Sequence, residues 1–259
     1  MSGPVTVRRE DGLAHVVLAA PPLNLFDEAM FAGLEHALSG LESDLPRAVL
    51  ISAEGRVVSG GVDVKVFDAI KSAHEATALW KRLIALPRRL EALPCPTVFA
   101  AHGLCLTAAF EISLGCDLIL AAQSARFGLV EIVVGLTPAM GGTQRLVERA
   151  GPARARELVM TGELYDAATL HGWNVVNRVL PDGGFIEAAQ AFATRLAAGP
   201  TRAHAATKGV VRAALDGGVD AADAAVVQRA GDLFATEDLR NAVASFLAEG
   251  PGRATYVGR

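Results

Sequence analysis

Apolar and polar positions alternate over residues 4–9 (PVTVRR) and 14–19 (AHVVLA), on either side of Glu10-Asp11-Gly12, and the pattern predicts a β-hairpin. Pro21 and Pro22 stop the second strand, and Asp27 is placed to cap an amphipathic helix running to about Leu41. The continuous apolar run 47–53 (RAVLISA) predicts a strand covered on both faces. Residues 74–92 read as one helix with a basic face of Lys81, Arg82, Arg88 and Arg89. Pro94 and Pro96 then lead into a strand, TVFAAHG, and strand–helix–strand order recurs through LCLTAAFEISLG and CDLILAA. That order is the mark of an α/β sheet with crossover helices. From about residue 141 the pattern is almost wholly helical, with segments near 141–150, 152–161, 166–171, 185–199, 201–215, 219–235 and 237–249 and one short strand at 175–179. A sheet-rich core followed by helices predicts an oligomerisation or lid region at the C-terminal end.

Composition narrows the class. A chain of 259 residues with 51% hydrophobic and 20% charged residues can bury a sizeable core. The formal charge of −4 gives no basic footprint, so no nucleic-acid partner is expected. No apolar run approaches the ~18 residues of a membrane span, and the first residues show no apolar signal segment, so the expected location is cytoplasmic. The three cysteines, Cys95, Cys105 and Cys116, sit in or beside apolar runs and read as reduced, buried thiols. The histidines are scattered without metal-like spacing, and no metal site is expected.

The unusual chemistry lies between Gly103 and Leu146. Two acids, Glu111 and Glu131, stand among residues that otherwise read as core. Burying a carboxylate is costly, and such groups raise their pKa and serve as acids or bases. Glu111 also has a bland reading, as the partner of a nearby arginine. Thr107 is a natural N-cap for the helix TAAFEISLG, whose first amides lack intrahelical acceptors. Ala108 and Glu111, three apart, share a face of that helix. Upstream, Gly60 and Gly61 let the backbone approach a ligand closely, and Asp63 can cap the short helix that follows, leaving the Val62 amide free to donate. One amide from each segment would make a pair of oxyanion donors, each worth ~3–4 kcal/mol in a transition state.

These segments resemble the crotonase (enoyl-CoA hydratase/isomerase) superfamily. SARFGLVEIVVGLTPAMGGTQRL resembles the family's FG.PE...G..P..GG.QRL segment. Ser59-Gly60-Gly61-Val62-Asp63 resembles its [SA]-x-G-x-D loop, PPLN (21–24) its first CoA-contacting loop, and LFATEDLRNAVASFL (233–247) its C-terminal helix. The resemblance implies an α/β fold, a crotonase-like spiral of ββα turns (1–197) with a C-terminal helical trimerisation region (198–259). It implies an acyl-CoA thioester as substrate, with coenzyme A brought in by the substrate and no further cofactor, and a homotrimer or a hexamer of paired trimers. Pro22, Leu23 and residues Ser59, Gly60, Gly61, Val62, Asp63 and Val64 would contact the CoA ester. The amides of Val62 and Ala108 would hold an enolate oxygen, Glu111 would activate water, and Glu131 would exchange the proton at the α carbon.

The chain departs from the pattern at Thr107-Ala108-Ala109, where most relatives carry glycines, at Ala139, and at AEGPGR (248–253), which lacks a basic pair. The leading expectation is hydration of a 2-enoyl-CoA. Isomerisation of a 3-enoyl-CoA would need Glu131 alone, and a non-catalytic acyl-CoA-binding scaffold is the alternative from another class. Lys208 is a candidate contact for a CoA phosphate.

Overall fold

The computed structural model describes residues 3–259. The chain runs through β1 (Val5–Glu10), β2 (Leu13–Leu18), α1 (Glu28–Ser43), β3 (Ala48–Ala53), α2 (Lys65–Asp68), α3 (Ala73–Leu83), α4 (Ala85–Ala92) and β4 (Thr97–Ala101). It continues through β5 (Leu104–Leu106), α5 (Ala108–Leu114), β6 (Leu118–Ala122), β7 (Arg126–Gly128), α6 (Gly142–Thr161), β8 (Tyr165–Asp166), α7 (Ala167–Gly172) and β9 (Arg178–Leu180). Helices α8 (Phe185–Ala197), α9 (Thr201–Leu233) and α10 (Glu237–Glu249) complete it.

The hairpin β1–β2 is antiparallel, and β2, β3, β4, β6 and β9 then add in parallel, giving a six-stranded sheet in the order β1-β2-β3-β4-β6-β9. A smaller sheet, β5-β7-β8, stands against it. Strand β3 is buried at every position, as its unbroken apolar run requires. Its alternate residues serve two cores: Val49 and Ile51 face the main one with Phe31, Phe99 and Phe110, while Ala48 and Leu50 pack on the other side against α8. The sheet is thus covered on both faces, as the α/β reading expects, and the spiral of ββα units with C-terminal helices is present.

Two element boundaries differ from the sequence expectation. The helix expected over 74–92 is broken at Ile84 into α3 and α4. Pro87 is the cause, because its ring collides with the carbonyl four residues back, at Leu83, and it has no amide to donate. The last strand is β9 at Arg178–Leu180, slightly later than the 175–179 expected. The helix pairs expected on either side of residue 151 and of residue 217 are present, each joined through one glycine out of helical geometry, Gly151 (φ 79°) and Gly218 (φ 75°).

Candidate active site

The loop after β3 is fastened by short-range bonds. The Ser59 hydroxyl donates to the Asn24 carbonyl (2.8 Å) and accepts from the Gly61 amide (3.0 Å), so this fully buried side chain shapes the loop and is not presented to a ligand. The Gly60 amide donates to the Leu23 carbonyl (2.8 Å), which brings the 21–24 loop against residues 59–61. Asp63 accepts from the Lys65 amide (3.0 Å), but the N-cap of α2 is Val64 and the helix has no side-chain capping bond, so Asp63 braces the turn before the helix instead of capping it as expected. Bridges from Phe26 to Val62 and from Ser59 to Cys105 hold the same loop beside β5. Pro22, Leu23 and Val64 are exposed on the outside of this assembly.

Glu111 projects from α5, a helix whose every residue is buried. Its Oε2 accepts from the amides of Met140 (2.9 Å) and Gly142 (2.7 Å) at the start of α6. Gly142 is needed there: a Cβ would lie 2.9 Å from Glu111 Cγ and 3.1 Å from Oε2, and would expel the carboxylate. The alternative of pairing with a nearby arginine is not realised: Arg145 makes a bidentate pair with Glu91 at 2.7 Å for both bonds. Burial pushes the Glu111 carboxyl up to about 8, helped by the charge of Glu131 and opposed by the two amides and, less strongly, by the charge of Arg145.

Glu131 opens a short 3-10 turn, Glu131–Val134, where the sequence suggested the end of an extended piece. Its Oε2 is buried with no hydrogen-bond partner among the described residues. Desolvation pushes this carboxyl up to about 7. Both glutamates, with Val62, line one small cavity of about 20 Å³. That is room for a single water. Phe31, Val66, Phe67, Trp80, Leu83, Leu136, Thr137, Ala139 and Met140 complete the wall. None of these was singled out by sequence except Ala139, because an apolar side chain gives no sign of whether it faces a core or a cavity.

The oxyanion pair differs from expectation. The Ala108 amide, first of α5, meets no acceptor among the described residues, and the residue is fully buried. The Val62 amide is not free: it donates to Thr107 Oγ1 at 3.1 Å. Thr107 occupies the N-cap position of α5 but makes no capping bond with its side chain, because its backbone sits at φ 45°, ψ −118°. For a β-branched residue this conformation is strained, at a cost of order 1–3 kcal/mol. The geometry turns the hydroxyl away from the helix amides and toward the 59–62 loop.

Two further expectations resolve outside the cavity. Lys208 bonds the Asp117 carboxylate (2.9 Å) and the Cys95 carbonyl (3.0 Å), so its charge is matched within the fold and it is not a free phosphate contact. The three cysteines are free and buried, with thiols pushed up by desolvation. No group of three or more His, Cys, Asp or Glu among the described residues is placed to hold a metal, and no described helix is long and apolar enough to cross a membrane.

A spiral of ββα units whose buried carboxylate pair faces a cavity beside a glycine loop defines a class that comparison makes specific. The family model for enoyl-CoA hydratase/isomerase matches residues 8–252, and the chain belongs to that family. It is 29% identical over 237 residues to a protein of Bacillus subtilis (strain 168) named probable enoyl-CoA hydratase, covering 91% of this chain and 92% of that protein. It is 31% identical over 201 residues to the probable enoyl-CoA hydratase EchA17 of Mycobacterium tuberculosis (strain ATCC 25618 / H37Rv), 77% of each chain. Among solved structures, an enoyl-CoA hydratase of Mycobacterium smegmatis superposes with a TM-score of 0.89 at 26% identity, over 96% of this chain and 97% of the other. One from Geobacillus kaustophilus HTA426 gives 0.90 at 29% identity, over 99% and 98%.

Proposed function

We propose that the protein hydrates a 2-enoyl-CoA to the 3-hydroxyacyl-CoA, with Glu111 and Glu131 as the acid–base pair. The observation that carries the reading is that both carboxyls are buried, face one cavity and lack a cationic partner. Neutralisation by an arginine would have held them low. Burial holds both near neutrality instead, with the charge of Glu131 adding to the push on Glu111.

The environment assigns the roles. Two amides on Glu111 Oε2 favour its ionised form and leave Oε1 to accept a proton from water. Burial pushes Glu111 higher (about 8) than Glu131 (about 7), so the proton source is assigned on geometry: Glu131 faces the cavity with an oxygen that no described protein group occupies, whereas Glu111 Oε2 is held by two amides. As water oxygen bonds to the β carbon, Glu111 takes the water proton. The π electrons move onto the thioester oxygen as an enolate, and the enolate collapses as the α carbon takes the Glu131 proton. The pair holds one proton before and after, and the transfer from Glu111 back to Glu131 resets the site. The thioester oxygen lies on the Val62 and Ala108 side, and the 21–24 and 59–64 loops carry the CoA portion. Coenzyme A arrives with the substrate and no other cofactor is required. Isomerisation of a 3-enoyl-CoA is the second reading, because Glu131 alone can shuttle that proton.

The test is loss of the conjugated-enoyl absorbance of short, medium and branched 2-enoyl-CoA esters. Wild type should consume at least one of them, and Glu131→Gln should lose the activity by about 10²-fold or more. No turnover on any ester, with ester binding intact by calorimetry, overturns the hydratase reading in favour of a scaffold.

We further propose that α9 and α10 form the oligomer contact of a trimer or a pair of trimers, in a cytoplasmic protein. Val227 on α9, Phe234 at its C-cap, and Phe246 and Leu247 on α10 are exposed, apolar residues that a second copy would cover.

A further inference from the structure

We infer that Thr107 is a catalytic residue whose hydroxyl receives the Val62 amide and passes its own proton-donating bond to the thioester oxygen. The inference rests on the acyl-CoA reading above and goes beyond it, since a glycine-lined hole would use the Val62 amide directly. The Val62 amide and Thr107 Oγ1 are 3.1 Å apart although the residues are 45 positions apart in sequence. Among the described residues the hydroxyl's own hydrogen meets no acceptor. It is therefore a donor with an amide behind it, and a donor polarised in this way gains strength. Hydroxyl side chains serve as oxyanion donors on the same footing as backbone amides. Thr107 and Ala108 are consecutive, so the hydroxyl and the unspent Ala108 amide issue from neighbouring backbone atoms.

The opposite possibility is that the hydroxyl merely plugs the hole and must swing away for substrate. The packing speaks against it. A Cβ on Gly61 (φ 107°) would lie 2.9 Å from Thr107 Oγ1 and 3.4 Å from its Cγ2, so both branches of the side chain rest against that glycine. Thr107 is 7% exposed, and a β-branched side chain has few χ1 alternatives. Rotation would break the Val62 bond and drive a methyl group into the same confined space. A relay asks for no movement.

The experiment reads the polarisation of a bound carbonyl as well as turnover. Butyryl-CoA labelled with ¹³C at the thioester carbonyl is bound to wild type and to Thr107→Ser, Thr107→Val and Thr107→Gly, and the carbonyl stretch is followed by isotope-edited infrared spectroscopy. The relay predicts a lowered stretch in wild type and the serine variant, a smaller lowering in the valine variant, and in the glycine variant, where the Val62 amide is freed, a lowering no greater than in wild type. Hydration of a 2-enoyl-CoA by the valine variant falls by about 10²-fold, as for loss of one oxyanion donor, and the glycine variant does not exceed wild type. A plug predicts the reverse for Thr107→Gly, a lower stretch and faster turnover, and that result overturns the inference. A valine variant indistinguishable from wild type overturns it too. Should the valine variant fail to fold, the glycine variant, which relieves the backbone, still decides the sign. Failure of wild type to bind butyryl-CoA defeats the thioester reading and this inference with it. A wild type that hydrates nothing, yet shows the predicted carbonyl pattern across the variants, defeats the hydratase reading alone and supports this one.

Discussion

Glu131 shows what a site of this kind costs the fold. Its carboxyl is raised from 4.5 to about 7 by desolvation, so the folded protein holds a proton there that the unfolded chain releases. Between those two values the native state binds more protons, and stability contributed by this group is lost as pH rises. Glu131→Gln removes the ionisable group. Its stability relative to wild type should therefore increase by about 2 kcal/mol between pH 5 and pH 8, read as a pH-dependent gain in the denaturant midpoint. A gain that is equal at both pH values would contradict the desolvated carboxyl. Both glutamates were legible in the sequence because each interrupts an apolar run. What holds them was not: the Met140 and Gly142 amides, and the approach of Thr107 to Val62, depend on loops far apart in the chain. The expectation that Thr107 caps α5 failed for a related reason. Capping preference is local, and this side chain answers to a partner on another element.

At the scale of elements, the cavity is a junction between a rigid half and a lightly held half. α5 is buried throughout, whereas α2 buries no residue and α3 only Leu83. Phe67 from α2 and Trp80 from α3 meet with ring centroids 5.9 Å apart and form part of the wall of a space of about 20 Å³. An acyl chain must displace this wall, and elements with few buried contacts open at the lowest free energy. On the proposed acyl-CoA reading, Trp80 is the residue expected to limit acyl length. Trp80→Ala should raise kcat/KM for an eight-carbon enoyl ester relative to a four-carbon one by about tenfold or more, since each methylene accommodated is worth 10-fold upward. An unchanged ratio would remove Trp80 from that role. The break between α3 and α4 could be read from Pro87, yet the amphipathic pattern continues across it and hides the boundary. The strands, set by alternation and by unbroken apolar runs, were legible to within a few residues.

In the whole molecule, the two-sided sheet ties the core together, while the C-terminal helices are secured by polar anchors. The Arg47 guanidinium donates to the Gly199 and Tyr256 carbonyls at 2.9 Å each. Buried Asp238 accepts from the Val257 and Gly258 amides at 2.7 and 3.0 Å. These anchors leave the apolar residues of α9 and α10 outward. Sedimentation should give a mass of about three or six times the 26.9 kDa chain, and Phe246→Asp with Leu247→Asp should shift it toward the monomer; a wild-type monomer would contradict the contact. The helical third was visible from its periodicity and its glycine breaks. An oligomerisation or lid region was expected from the helical run itself and a trimer from the family resemblance, but which residues face outward was not legible, because an exposed valine and a buried one look alike in a sequence.

In the proposed mechanism Glu111 and Glu131 act together on one water and one double bond. The most direct measurement is the Glu111→Gln variant assayed in parallel on a 2-enoyl-CoA and on the matching 3-enoyl-CoA. Hydration is expected to fall by at least about 10²-fold, while any conversion of the 3-enoyl ester, which needs only Glu131, persists. Hydration that continues near the wild-type rate would contradict this mechanism and leave Glu131 as the sole acid–base group.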